Sequence, residues 1–225
     1  MRHPLGVRGA LSAYAVLGTA TIVAHLVGAP GVVAVSSVVM MPLLWLYLRG
    51  AMPSGSRIRR RVLVALVMSW FGDWAGWWLP LKISFFLLAQ LAYLRAFWPY
   101  RRRSLLVRPV PLAAYGAGLG PLITLVAAHA GPLAAPVAIY GVGVGLMAVL
   151  ATGVNRAVGT GALLFLLSDI ELAVYLFVDP DVIPASAALN SLLYLPAQLL
   201  IVVGVVRCAT AETQRPEPVL APARG

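Results

Sequence analysis

Three acids stand inside otherwise apolar stretches of the chain: Asp73, Asp169 and Glu171. An ionisable group held in hydrocarbon is costly, so such residues mark positions where function offsets the cost. Two carboxyls brought together can divide an acid–base task, one keeping its proton while the other is ionised. That arrangement suits hydrolysis or a proton relay. Asp73 and Asp169 each lie eleven residues into an apolar run, one starting at Val62 and the other at Val158. At 1.5 Å per residue both sit about 16 Å deep, near the centre of a bilayer. Glu171, two residues past Asp169, points about 200° around the same helix and faces a different neighbour.

Other runs bring polar groups to similar depth. Gln90 and Tyr93 are three apart and share a helix face, while Asn190, Tyr194 and Gln198 are spaced by four and form one stripe. A polar pocket enclosed by the third, fourth, seventh and eighth runs satisfies all of them. Its expected acid–base pair is Asp73 and Asp169. Gln90, Tyr93, Ser168, Asn190, Tyr194 and Gln198 are the residues expected to orient substrate and water.

The elements that must hold these groups follow from composition. Of 225 residues, 61% are hydrophobic and 11% charged, against about 25% charged in soluble domains. That balance excludes a soluble globule, a disordered chain and a nucleic-acid module, despite a net charge of +10. A helix crosses the hydrocarbon core in about 20 apolar residues. Eight runs meet that length, near 9–28, 31–49, 62–80, 81–98, 110–129, 132–152, 158–178 and 186–207. The expected fold is therefore all-α: a single transmembrane domain of eight helices over 1–208. A proline-containing tail, 209–225, is expected to be disordered. The first run follows Arg2 and Arg8 as a signal peptide would, but it is as long as a full span and no clear cleavage site follows it.

With eight spans, all 16 arginines fall on the side of the two termini, and Lys82, the remaining member of the 17 basic residues, falls opposite with Asp179 and Asp181. The positive-inside rule then makes both termini cytoplasmic in a multi-pass protein of the cell membrane. The arginines read as topology signals and contacts to anionic lipid.

Several motifs carry less. Gly116-Ala117-Gly118-Leu119-Gly120 and Gly141-Val142-Gly143-Val144-Gly145 resemble phosphate-loop spacing but lie in apolar helices, where small residues allow close packing. His25 and His129 stand away from the two aspartates, and no cluster of ligands suits a metal; no cofactor is expected. No Gly-x-Ser-x-Gly element occurs. Cys208, alone at the cytoplasmic boundary, forms no internal disulfide. The tryptophans of 70–78 suit packing and anchoring at the interface.

Four segments together resemble a known family: Ser69-Trp70-Phe71-Gly72-Asp73-Trp74, Phe85-Phe86-Leu87-Leu88-Ala89-Gln90-Leu91-Ala92-Tyr93, Gly161-Ala162-Leu163-Leu164-Phe165-Leu166-Leu167-Ser168-Asp169 and Tyr194-Leu195-Pro196-Ala197-Gln198-Leu199-Leu200-Ile201. In order and spacing they are similar to the YhhN-like lysoplasmalogenases, and Tyr140 and Met147-Ala148 fit the same pattern. The resemblance implies an eight-helix membrane hydrolase that cleaves the vinyl ether bond of a lysophospholipid, releasing a fatty aldehyde and a glycerophospho-base. It assigns the catalytic aspartates to Asp73 and Asp169. The chain departs from the family at Gln90, where a histidine is usual, and at Met41-Pro42, where Lys-Pro is common. In this reading the phosphate of the lipid is held by cytoplasmic arginines. The competing readings are a proton-coupled transporter of small molecules or lipids and a non-catalytic membrane relative.

Overall fold

A computed structural model describes residues 4–213. Eight α-helices make up the fold: α1 (Pro4–Val27), α2 (Pro30–Ala51), α3 (Arg57–Trp74), α4 (Leu79–Phe97), α5 (Pro109–His129), α6 (Ala134–Ala151), α7 (Arg156–Phe177) and α8 (Ser186–Thr213). Short 3-10 turns link some of them, and no strand occurs among the described residues. Seven of the helices are long and apolar enough to cross a membrane.

The exception is α3, and it departs from expectation at both ends. Residues 57–61 read as a loop because of their arginines, yet they form the first turns of the helix. Ser56 caps it by accepting from the Arg59 backbone N–H. The arginines then serve neighbouring helix ends, where cations are favourable. Arg59 donates to the Arg49 carbonyl at the end of α2 and to Pro53 in the following turn, and Arg61 donates to the Arg95 carbonyl near the end of α4. At its other end α3 stops at Trp74 instead of reaching residue 80. Pro80 belongs to the first turn of α4, where its missing N–H breaks no hydrogen bond. The apolar part of α3 is thus too short to count as a span by length and composition alone. At the far end of the chain α8 runs past 207 to Thr213; residues 214–225, within the tail expected to be disordered, lie outside those described.

Sequential helices pair into hairpins. The most extensive contacts join α7 to α8, then α3 to α4 and α1 to α2; α2 packs on α3, α4 on α6 and α1 on α8. Close approach needs small residues. A Cβ at Gly161 would come within 2.7 Å of the Ala197 carbonyl oxygen and 2.9 Å of the Ile201 backbone nitrogen, so α7 and α8 meet backbone to backbone. Pro42 inside α2 cannot bond the Val38 carbonyl one turn earlier. The Trp70 indole N–H of α3 donates to that oxygen instead, at 2.9 Å. The outermost helix is α5, whose one buried residue is Val126; it lies along α6 and touches α7 only lightly.

Gly161→Ala should therefore destabilise the fold by about 1–3 kcal/mol through overpacking. Gly118→Ala, at a helical position with nothing within 4 Å, should leave it unchanged or slightly more stable. Thermal unfolding of the two variants in detergent checks both.

Candidate active site

Asp73 and Asp169 line one cavity of about 120 Å3, between α3, α4, α5, α6, α7 and α8. A site holds one water in roughly 10–15 Å3 measured this way, so there is room for several. Apolar side chains make most of the wall. The polar groups on it are the two carboxyls, Tyr140, Tyr194, Ser168, Asn190 and Lys82.

The carboxyls share a level for a reason that counting did not supply. The expected depth of about 16 Å rested on helix starts at Val62 and Val158, but the helices begin at Arg57 and Arg156. Counted from those starts, Asp169 is about 20 Å along α7 and Asp73 about 24 Å along α3. Asp73 is the next-to-last residue of its helix. Tyr194 lies eight residues, about 12 Å, into α8, and Asp169 lies eight residues before the end of α7. Since α7 and α8 are antiparallel, these two positions are at one height. The hydrogen bond from Tyr194 to Asp73 brings the end of α3 to that height as well. Apart from Val144 and Leu166, near the middle of α6 and α7, the cavity residues belong to the end of the bundle opposite the arginine clusters: the later parts of α3, α5 and α7, and the first halves of α4 and α8 and the early part of α6.

Each carboxyl has its own phenol. Tyr194 donates to Asp73 Oδ2 at 3.1 Å and Tyr140 to Asp169 Oδ2 at 2.7 Å. Both acids are half-buried and line the cavity. Ser168 is turned back on its own helix, donating to the Phe165 carbonyl, and Asn190 donates from α8 to the Ser168 carbonyl at 2.8 Å. That bond fixes the turn of α7 that carries Asp169.

The remaining expected residues stand behind the cavity. Gln198 lies wholly buried at the centre of a network: its Oε1 accepts from Tyr93 at 2.6 Å, and its Nε2 donates to the hydroxyls of Ser69, at 3.2 Å, and Tyr194, at 3.3 Å. Gln198 and Tyr93 therefore hold Tyr194, which holds Asp73, rather than facing the cavity themselves. Gln90 is fully buried and both its amide atoms lack a hydrogen bond, although the Tyr140 hydroxyl is close enough to interact with it. It does not line the cavity, so its expected orienting role does not follow from its place. Glu171 faces away from the site, where the Ser186 hydroxyl at the start of α8 donates to it.

Two cavity residues escaped the sequence reading of the site. Tyr140 is the lone phenol in a helix of small aliphatic residues, and a tyrosine there signals a buried acceptor. Lys82 counted only toward topology. In the structure its ammonium lies over the Phe86 ring, 5.7 Å from the centroid, and within electrostatic reach of both carboxyls. Among the described residues no group of three or more His, Cys, Asp or Glu converges as a metal site would require.

Gln198→Leu should lower stability by about 1–3 kcal/mol, because the hydroxyls of Tyr93 and Ser69 are left buried without that partner. Gln90→Leu removes an amide that makes no hydrogen bond, while the Tyr140 hydroxyl near it keeps Asp169 as its acceptor, and should be neutral or stabilising. Denaturation midpoints of the two variants distinguish the roles.

A model of the YhhN family matches residues 32–205 of the chain. Comparison with curated proteins and with solved structures gives no match.

Proposed function

The chain belongs to the YhhN family, and from that premise we propose that it is a membrane-embedded hydrolase of the vinyl ether bond of lysoplasmalogens, with Asp73 and Asp169 as its catalytic pair. The observation that carries this reading is the cavity shared by the two carboxyls. In the bilayer the bundle spans eight times, with the arginine-rich ends and both termini on the cytoplasmic side.

The chemistry asks little more than two carboxyls and water. A vinyl ether R–CH=CH–O–R′ accepts a proton on its outer alkene carbon from the protonated carboxyl, which leaves an oxocarbenium ion, R–CH2–CH=O+–R′. The ionised carboxyl stabilises that cation and accepts a proton from the attacking water. The resulting hemiacetal, R–CH2–CH(OH)–O–R′, expels the alcohol R′–OH as its hydroxyl proton leaves and the ether oxygen gains one. The products are the aldehyde R–CH2–CHO and the glycerophospho-base, and one water has been consumed. Tyr140 and Tyr194 hold the carboxyl oxygens they hydrogen-bond, leaving the opposite oxygens for the reaction. The pair titrates as a unit, so its two apparent pKa values belong to the pair.

Asp73→Asn and Asp169→Asn should each cut aldehyde release about 100-fold or more, with the fold retained, since an amide keeps the shape and still accepts from the tyrosine. The rate of the unaltered protein should fall at high pH, where the donor carboxyl loses its proton, and at low pH, where the base gains one. Purified protein given a lysoplasmalogen and its saturated ether analogue should yield aldehyde from the first only. Full activity in either asparagine variant would remove the pair from the mechanism.

A further inference from the structure

Lys82 occupies an unusual place for a lysine near a helix end. In the first turn of α4, the expected behaviour is to extend the ammonium outward to the membrane surface. Here it turns the other way. Its ammonium lies over the ring of Phe86, one helical turn further into the bundle, and the side chain lines the cavity. The Phe86 ring is the aromatic group under it, and among the described residues neither carboxyl forms an ion pair with it. It is the one cation on the cavity wall. Beside it, Trp74, Trp77 and Trp78 are exposed by 64%, 78% and 51%, which is the pattern of an aromatic belt at headgroup depth. The arginines among the described residues lie at the far end of the bundle, beyond the apolar core that packs below the site.

The opposite wall is apolar. Leu122, Ile123 and Val126 of α5 and Ala173, Leu176 and Phe177 of α7 line it, and α5 and α7 touch only lightly. The cavity is too small for a whole lysolipid, so most of an apolar chain must leave it along this apolar wall. One cavity therefore offers a cation near a helix start, an apolar wall and the two carboxyls.

We infer that Lys82 is the phosphate-binding residue of this site, and that it admits single-chain lipids bearing a phosphate headgroup from the leaflet opposite the arginine-rich ends. This rests on the reading of the site as one for lysophospholipids, and it replaces the cytoplasmic arginines as the expected phosphate ligands. Lys82 sits three residues from the start of α4, so a phosphate held there lies closer to the helix ends than Asp169, eight residues before the end of α7. Lys82 is a positioning residue: it places the ether bond between Asp73 and Asp169 by holding the phosphate above them.

The test is calorimetric titration of the full-length protein in detergent with two uncleavable lipids of equal chain length, 1-O-alkyl-glycero-3-phosphocholine and 1-O-alkylglycerol. Because neither is a substrate, the result does not depend on hydrolysis, and a failure here is separable from a failure of the proposed activity. Lys82→Gln should weaken binding of the phospholipid about tenfold or more and that of the alkylglycerol less than about twofold, whereas Lys82→Arg should stay within about threefold of the unaltered protein. Equal weakening for both lipids, unchanged binding of the phospholipid, or no rescue by arginine would overturn the assignment. So would displacement of the phospholipid by millimolar inorganic phosphate, which would make the site one for a free anion.

Discussion

A carboxyl group buried among apolar helices must be given partners, and the cost of leaving it without any shapes the whole bundle. Here each aspartate draws a phenol from a different helix: Tyr194 of α8 to Asp73 of α3, and Tyr140 of α6 to Asp169 of α7. Those two hydrogen bonds tie four helices together around one cavity. The demands propagate outward. Tyr194 is steadied by Gln198, which is steadied by Tyr93 and Ser69, and the turn carrying Asp169 is pinned by Asn190. The Tyr14 hydroxyl of α1 donates to the Leu195 carbonyl beside Pro196, so even the first helix is fastened to the helix that presents Tyr194. Packing then has to bring backbones close enough for such short side chains to meet, which is the role of Gly161 and of Gly72, where a Cβ would strike the Phe86 ring at 2.7 Å.

The shortness of α3 belongs to the same design. Its arginine-bearing first turns are spent on the carbonyl ends of α2 and α4, and it stops one residue past Asp73. A carboxyl near the end of a short helix lies close to the aromatic-rich turn of Trp77 and Trp78, which stack on each other. The site thereby lies toward the end of the bundle that carries these tryptophans, opposite the arginine clusters.

Much of this was legible in the residues. Apolar length and the prolines indicate the helix count and most helix ends; the rarity of intramembrane acids leaves three candidates, and helical depth and angle pair Asp73 with Asp169 and set Glu171 aside. The failures share a physical cause, which is that side chains were read by type rather than by what they could reach. Arg57, Arg59, Arg60 and Arg61 suggest a loop, yet a guanidinium can satisfy helix-end carbonyls and so be accommodated within a helix. Pro80 suggested a stop, although proline is equally at home in a first turn. Gln90 and Gln198 looked equivalent by depth, but only one found hydrogen-bond partners, and no spacing rule distinguishes the two. Lys82 was counted as a surface charge because its direction depends on the open space beside Phe86, a property of the assembled bundle and not of α4.

The central claim is that a carboxyl of the pair gives its proton to carbon. Hydrolysis of a lysoplasmalogen by the purified protein in heavy water tests this directly, with the released aldehyde analysed by mass spectrometry. The account predicts one deuterium on the carbon next to the carbonyl in every aldehyde formed. Aldehyde released without that label would show that the bond breaks by a route in which the two acids do not protonate the alkene.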